Sequence, residues 1–146
     1  MMTVSKIFSA MAVSLVFTAC AHSPAPESTS LYDRLGGQPA ITAVVDDFVD
    51  HVTADKRING QFANTNIPRL KRLLVEQICA GSGGPCRYTG RDMKSAHAHL
   101  KISDANLTAL LQDLSRTLDK FKVPDKERSE LMAILAPMKG EIVTVR

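Results

Sequence analysis

Apolar residues recur every three or four positions in four stretches of this chain, which is the spacing of one buried face of an α-helix. The first stretch follows Pro39, which suits a first helical turn, and the third follows a candidate N-terminal cap at Ser103. The fourth begins at Pro124 and contains Pro137, which we expect to kink it. The positions on the four stripes are Ile41, Val44, Val45, Phe48, Val49 and Val52; Ile67, Leu70, Leu74, Gln77 and Ile78; Leu107, Leu110, Leu111, Leu114, Leu118 and Phe121; and Leu131, Ile134, Leu135, Met138 and Ile142.

The first stripe is rich in β-branched residues, so its composition raises a strand as the alternative. Asp46, Asp47 and Asp50 favour the helix, because they share its polar side but would scatter across both faces of a strand. No other stretch of the sequence favours a strand, and no internal repeat is present. The pattern therefore predicts one all-α domain over residues 31–146.

The first nineteen residues have the pattern of a signal peptide. Lys6 precedes a short apolar run, Ile7 to Ala19, which is too short to span a bilayer. Cys20 follows at once, and the segment resembles a bacterial lipobox, although Phe17 stands where Leu is usual. We therefore expect cleavage after residue 19 and a lipid anchor on Cys20; an ordinary secreted protein is the alternative.

Residues 20–30 form the tether that this anchor implies. The segment is rich in Pro and Ser and has little to bury, so it is typical of a linker. Ala21 after the cysteine favours the outer membrane over the inner one, by resemblance to sorted lipoproteins. We expect a domain that is lipid-anchored in the cell envelope and faces the periplasm.

The charge of the chain limits its partners. The sequence has 18 Lys or Arg and 15 Asp or Glu, and its net charge of +3 is mixed along the chain. A nucleic acid is therefore not an expected partner.

His97 is the residue that carries most information about chemistry. In a short helix it shares one face with Met93, Ala96 and Leu100, after an irregular glycine-rich stretch. An imidazole in an apolar stripe needs a partner, since leaving it unpaired costs on the order of 1–3 kcal/mol. A hydrogen-bonded core histidine and a ligand to iron or zinc are both open. His99 should face away from that stripe, so it is not a candidate.

Cys79 and Cys86 bracket the glycine-rich loop. In an exported protein, a pair at this separation predicts a disulfide. The alternative is a zinc site of these two cysteines with His97 and His99, but the spacing matches no common zinc pattern, and a helix would point the two histidines apart.

Short motifs run in order along the whole domain. They are Leu31-Tyr32-Asp33-Arg34-Leu35-Gly36-Gly37, Ala40-Ile41, Asp46-Asp47-Phe48, Phe62-Ala63-Asn64-Thr65-Asn66, Leu70-Lys71, Gly83-Gly84-Pro85, Tyr88-Thr89-Gly90, Met93-Lys94, His97 and Leu135-Ala136-Pro137. This ordered set resembles the truncated haemoglobins of group I. The resemblance implies a two-over-two helical sandwich around haem b, with glycine pairs ending the first helix and opening the loop before the haem-binding segment.

The resemblance also assigns residues to the cofactor. His97 matches the proximal ligand to the iron, and Phe62 matches the aromatic residue that packs on the porphyrin. Lys71 and Arg91 lie where cations meet the haem propionates, with solvated surface charges as the alternative. The apolar walls would come from Val44, Phe48, Leu70, Leu74, Met93, Leu100 and Leu118, each of which could equally be plain core.

The distal ligand pocket departs from the family pattern. Val49 and Leu74 stand where many relatives have Tyr and Gln, so two hydrogen-bond donors for a bound ligand are missing. Gln77, one turn beyond Leu74, could reach the ligand through its NH₂, or could instead bond to backbone at the pocket edge. Tight oxygen storage is therefore not expected, whereas binding of diatomic ligands is.

Three classes of function remain. The first is a haem protein that binds oxygen, nitric oxide or carbon monoxide, with a nitric oxide dioxygenase-type reaction as its enzymatic version. That reaction needs an electron donor that the chain does not encode. The second is a non-catalytic haem module for sensing or electron transfer at the cell envelope. The third is a haem-free interaction domain, against which His97 and Phe62 argue; a Soret absorption band separates it from the others.

Overall fold

The computed structural model of the chain describes residues 29–145. The predicted signal peptide, Cys20 and most of the tether lie outside these residues, so their assignments stay predictions. The described part forms α1 (Leu31–Arg34), α2 (Gly37–Ala54), a 3-10 helix (Asn59–Phe62), α3 (Ile67–Gly81), α4 (Met93–His97), α5 (Asp104–Lys120), α6 (Asp125–Leu135), a second 3-10 helix (Ala136–Met138) and α7 (Lys139–Ile142). Strands are absent from this part, and the predicted all-α class is confirmed.

Helix α2 is the centre of the domain. Its residues Val45, Val49 and Val52 are almost completely buried, and the helix packs against both α3 and α5. Apolar residues of α2, α3, α5 and α6 join in a single core, which gives the two-over-two sandwich. Between residues 29 and 145, every helix is too short or too polar to cross a bilayer.

The ends of the helices follow local sequence signals. Gly36 and Gly37 take positive φ angles of 92° and 69°, so the chain can turn sharply from α1 into α2. Asn66 caps α3 and Asp92 caps α4, each through a side-chain oxygen that accepts a backbone N–H. Ser103 caps α5 in a reciprocal capping box with Asn106.

The third and fourth stripes do not continue as buried helix faces to their ends. Phe121 follows the last residue of α5 and is 38% exposed rather than buried, because the helix stops before it can turn inward. The fourth stretch is divided at Pro137 into α6, a 3-10 turn and α7, as expected for a proline inside a helical pattern.

Helix α4, with five residues, is shorter than the two turns expected. The C-terminal segment holds the chain that follows it. Ile102 donates its N–H to the hydroxyl of Thr144 at 3.0 Å, and its carbonyl accepts N–H groups from Thr144 and Val145 at 2.9 and 3.0 Å. Helix α7 also packs on α4. The short helix is thus ordered in part by distant residues, which local propensity does not reveal.

The sulfurs of Cys79 and Cys86 are joined, with Cα atoms 5.7 Å apart. The bond ties the last turn of α3 to the loop that leads towards α4. Gly84 lies inside this loop, and a Cβ there would come within 2.5 Å of the Tyr32 ring and 2.7 Å of the Cys79 sulfur. Only glycine fits at that point. Because both sulfurs are in the disulfide, neither is available as a zinc thiolate.

We expect replacement of Cys79 and Cys86 by Ala to lower the free energy of unfolding by about 2.5 kcal/mol, since the disulfide closes a short loop in the unfolded chain. Urea unfolding of the double variant and the wild type measures this difference. Intact mass after alkylation is the control: two alkylated thiols in freshly isolated wild-type protein would contradict the disulfide.

Candidate functional site

A cavity of about 360 Å³ lies inside the sandwich, with walls from α2 to α7. Its volume is in the usual range for pockets that hold small molecules. The lining is almost wholly apolar. Its polar side chains, among the described residues, are those of Gln61, Gln77, His97, Asn106 and Lys139.

His97 is oriented by its own helix. Its Nδ1 lies 2.7 Å from the carbonyl oxygen of Met93, one turn earlier. A carbonyl can only accept, so Nδ1 carries the proton in the neutral ring and the lone pair is on Nε2. No atom of residues 29–145 hydrogen-bonds to Nε2. This is the arrangement in which a metal-binding histidine is held by a backbone carbonyl.

The residues that the sequence assigned to the walls mostly lie on the cavity. Phe62, from the first 3-10 helix, lines it together with Val44, Phe48, Leu70, Leu74, Met93 and Leu100. Leu118 belongs to the core instead, where it is 2% exposed. His99 is exposed, and His51 bonds through Nδ1 to the hydroxyl of Thr117 at 3.0 Å, outside the cavity.

The predicted distal positions are apolar in the structure. Val49 is completely buried and lines the cavity, as does Leu74. Gln77 also lines it, and among residues 29–145 its amide contacts sulfur atoms instead of the backbone that was the alternative partner. Its Nε2 lies 3.2 Å from the sulfur of Met138 and 3.6 Å from that of Met93. A thioether is a weak acceptor, so a role for Gln77 at a bound ligand stays a prediction.

The two cations assigned to the propionates lie outside the cavity wall. Lys71 is paired with Asp50 at 3.0 Å and Asp46 at 3.4 Å, and hydrogen bonding to Asp50 is the main cause that raises the pKa of its ammonium. Arg91 is exposed, and its carbonyl accepts a bond from the hydroxyl of Tyr88 at 2.8 Å. The structure thus gives Lys71 a partner on α2 and leaves Arg91 at the surface.

Sequence reasoning missed the remaining polar groups of the wall. Asn106 is engaged in the α5 cap, and Lys139 pairs with Asp104 at 2.7 Å. The Gln61 side chain has no hydrogen-bond partner among residues 29–145. Its position beside Phe62 was the signal available in the sequence. Lys139 had none, because a contact between α7 and the cavity is purely tertiary.

The site fits a haem group. A porphyrin needs an apolar slot with aromatic and aliphatic walls, and its iron needs one nitrogen lone pair. The cavity supplies the walls, and His97 supplies Nε2 with its tautomer already fixed. Haem held by His97 would supply an iron that can bind a diatomic ligand. An all-α sandwich in which one histidine, among residues 29–145, lines an apolar cavity is typical of a globin-type haem protein.

Comparisons with known proteins agree with this class. The sequence profile of the bacterial-like globin family matches residues 30–144, so the chain belongs to that family. The group 1 truncated hemoglobin GlbN of Mycolicibacterium paratuberculosis is 38% identical over 118 residues, covering 81% of this chain and 87% of that protein. The chain is therefore a truncated globin of group I that binds haem and diatomic ligands.

Solved structures give the same result. The 2/2 hemoglobin of Synechococcus, in its cyanomet state with covalently attached heme, has a TM-score of 0.74 and 29% identity over 79% of this chain and 98% of its own. The Fe(III) form of the truncated hemoglobin of Tetrahymena pyriformis also has a TM-score of 0.74, with 26% identity and the same coverage. The predicted fold is confirmed.

We expect His97→Gly to lose most of its haem, because no other described imidazole lines the cavity. The Soret absorbance per protein of the purified variant measures this loss, and added free imidazole should restore it in part. His99→Gly is the matched control and should keep the wild-type spectrum. The reverse result, with haem lost only in His99→Gly, would move the iron ligand to His99.

Proposed function

We propose that this globin exchanges diatomic ligands rapidly at the periplasmic side of a membrane to which Cys20 anchors it. Fast exchange rests on one observation, the apolar character of the cavity where a bound ligand would lie. Anchoring rests on the sequence around Cys20. The two parts are tested separately.

Rapid release follows from missing donors. A haem in this cavity would supply iron for oxygen binding, and a neighbouring hydrogen-bond donor would slow release of that ligand. Val49 has no donor and is completely buried, and Leu74 on the opposite helix has none either. The amide of Gln77 is bonded to two sulfurs. An oxygen ligand would therefore receive no hydrogen bond from Val49 or Leu74.

The lack of donors also predicts which diatomic ligands the pocket prefers. Carbon monoxide and nitric oxide depend less on a donor than oxygen does, so an apolar pocket favours them relative to oxygen. Conversion of nitric oxide to nitrate stays a prediction of the family resemblance. It requires retained oxygen and an electron donor from outside the chain, and no group on the cavity wall favours it over reversible binding.

We expect Val49→Tyr to slow oxygen release by roughly two- to tenfold, since one neutral hydrogen bond contributes about 0.5–1.5 kcal/mol. Val49→Phe is the control for size, because it adds the ring without the hydroxyl. Stopped-flow measurement of the dissociation rates compares them. Equal rates in the two variants would show that the donor does not reach the ligand.

Gln77→Leu extends the same experiment to the remaining amide. A two- to tenfold faster oxygen release with an unchanged carbon monoxide rate would place Gln77 at the ligand. An unchanged oxygen rate would leave its amide with Met93 and Met138.

Export and anchoring are supported by several features of the chain. The apolar run ends at Cys20 as in a lipobox, and a tether rich in Pro and Ser follows. A disulfide between Cys79 and Cys86 is typical of proteins in oxidising compartments. An alternative haem module for sensing or electron transfer would use the same location.

We expect the protein isolated from bacterial membranes to begin at Cys20 and to carry acyl chains, because cleavage before a lipidated cysteine defines this class of signal. Intact mass and membrane fractionation test both points, and fractionation also separates outer from inner membrane. Cys20→Ser should release the chain from the membrane fraction. Wild-type protein without added acyl mass would refute the anchor.

A further inference from the structure

Residues 66–101, which include α3 and α4, carry a strong excess of positive charge. This segment has seven Lys or Arg and two Asp or Glu, a net charge of +5, whereas the whole chain has +3. The rest of the chain is therefore net negative. The net charge is therefore not evenly mixed along the chain, as its overall value suggested, but is concentrated in this one segment.

Contacts between α3 and the loop before α4 bring these cations together. Arg72 donates to the hydroxyl of Thr89 at 3.1 Å, and Glu76 accepts the N–H of Thr89 at 3.0 Å. Arg69 and Arg91 both lie near enough to the phenol of Tyr88 to lower its pKa, although burial and then Glu76 raise that pKa overall. We define the basic face as Arg69, Arg72, Arg87, Arg91 and Lys94, all of which are exposed.

Few carboxylates balance this face. Within residues 29–145, Arg72 is the member of the basic face that has a carboxylate partner, Glu76. The other acid of the segment is Asp92, whose side chain caps α4. The remaining charges are solvated and free to meet an anionic partner.

The start of the described chain lies beside the same face. Tyr32 donates its N–H to the carbonyl of Ser82 at 2.9 Å, and a Cβ on Gly83 would lie 3.3 Å from the Cβ of Ser30. This glycine loop continues through the disulfide-bonded Cys86 directly into Arg87. Any anchor on Cys20 therefore pulls the domain from the edge of the basic face.

We propose that the basic face binds the anionic phospholipid headgroups of the membrane to which the chain is tethered. The choice of a membrane rests on the anchoring proposed above, while the charge of the face determines the chemistry of the ligand. Clustered Lys and Arg bind anionic bilayers in this way, and each contributes additively near the surface.

The tether is long enough for this contact. Residues 21–29 span roughly 30 Å when fully extended, so the domain can reach the bilayer in many orientations. The charges act strongly only within about 8 Å of the surface at physiological salt. Because the described chain begins beside the basic face, the tether allows that face to come within this distance of the bilayer, where its charge can act.

An acidic electron-donor protein is the rival occupant of the same face. Both partners are anionic, so charge alone does not separate them. The start of the described chain favours the membrane, because Ser30 lies beside the glycine loop that leads into this face. The basic face also borders the cavity. Leu70 and Met93 line the cavity, and they are the sequence neighbours of Arg69 and Lys94. Membrane binding would thus turn this edge of the haem pocket towards the bilayer.

The test uses the haem-loaded mature chain from residue 20 onwards, with Cys20→Ser so that no acyl chain contributes. Vesicles of phosphatidylglycerol with phosphatidylethanolamine are compared with vesicles of phosphatidylcholine in co-sedimentation. The test variant is Arg87→Gln with Lys94→Gln, which leaves Lys71 and Arg91, the two cations assigned to the haem propionates, unchanged. The matched control is Lys56→Gln with Lys122→Gln, two exposed lysines outside residues 66–101.

We expect binding to the anionic vesicles only, lost at high salt, and weakened at least tenfold in Arg87→Gln/Lys94→Gln but about twofold or less in the control. Unchanged Soret and circular dichroism spectra show that each variant is folded. Equal binding to both vesicle types, or equal losses in the two variants, would overturn the proposal. So would absence of vesicle binding together with salt-sensitive binding to a small acidic redox protein. Because the chain is unlipidated, failure of the Cys20 anchor is a separate result, seen in the mass of the native protein.

Discussion

The hydrogen bond from Nδ1 of His97 to the carbonyl oxygen of Met93 is the interaction on which the site depends. It fixes the tautomer of the ring, so that Nε2 keeps its lone pair, and it fixes the ring against the axis of α4. Helix α4 is too short to hold this geometry alone. The Asp92 cap, the packing of α7 and the bonds between Ile102 and Thr144 hold the helix in place.

The second constraint is the near absence of unsatisfied polar groups around the cavity. Asn106 and Lys139 have partners of their own, and Gln77 is bonded to sulfur. Among residues 29–145, Gln61 is the exception, with a side chain that has no hydrogen-bond partner. The wall therefore excludes water and binds a porphyrin through apolar contact, while the iron is left with one protein bond. The apolar wall also leaves few hydrogen-bond donors where a diatomic ligand would bind. Firm haem retention and weak oxygen retention therefore have a common cause. A relative with Tyr and Gln in place of Val49 and Leu74 would separate these two properties.

Much of this could be predicted from the sequence, and the failures have identifiable causes. The helices α2, α3 and α5 can be predicted because periodic burial leaves a periodic pattern of apolar residues. His97 can be identified as a candidate site residue because an unpaired imidazole is costly in an apolar stripe. The partners of Gln77 and Lys71 cannot be predicted in this way. Met138 lies 61 residues from Gln77, and Asp50 lies 21 residues from Lys71, so only the tertiary fold brings them into contact. The short helix α1 and the first 3-10 helix are too brief to show a period.

Resonance Raman spectroscopy of the ferrous protein tests the central claim most directly, because it detects the bond between iron and its protein ligand. Protein is prepared with natural histidine and with histidine labelled with ¹⁵N in the ring. The account predicts an iron–nitrogen stretching band that shifts to lower frequency on labelling, at a position typical of a neutral imidazole whose other nitrogen bonds to a carbonyl. A spectrum in which labelling shifts no iron–ligand band would contradict it.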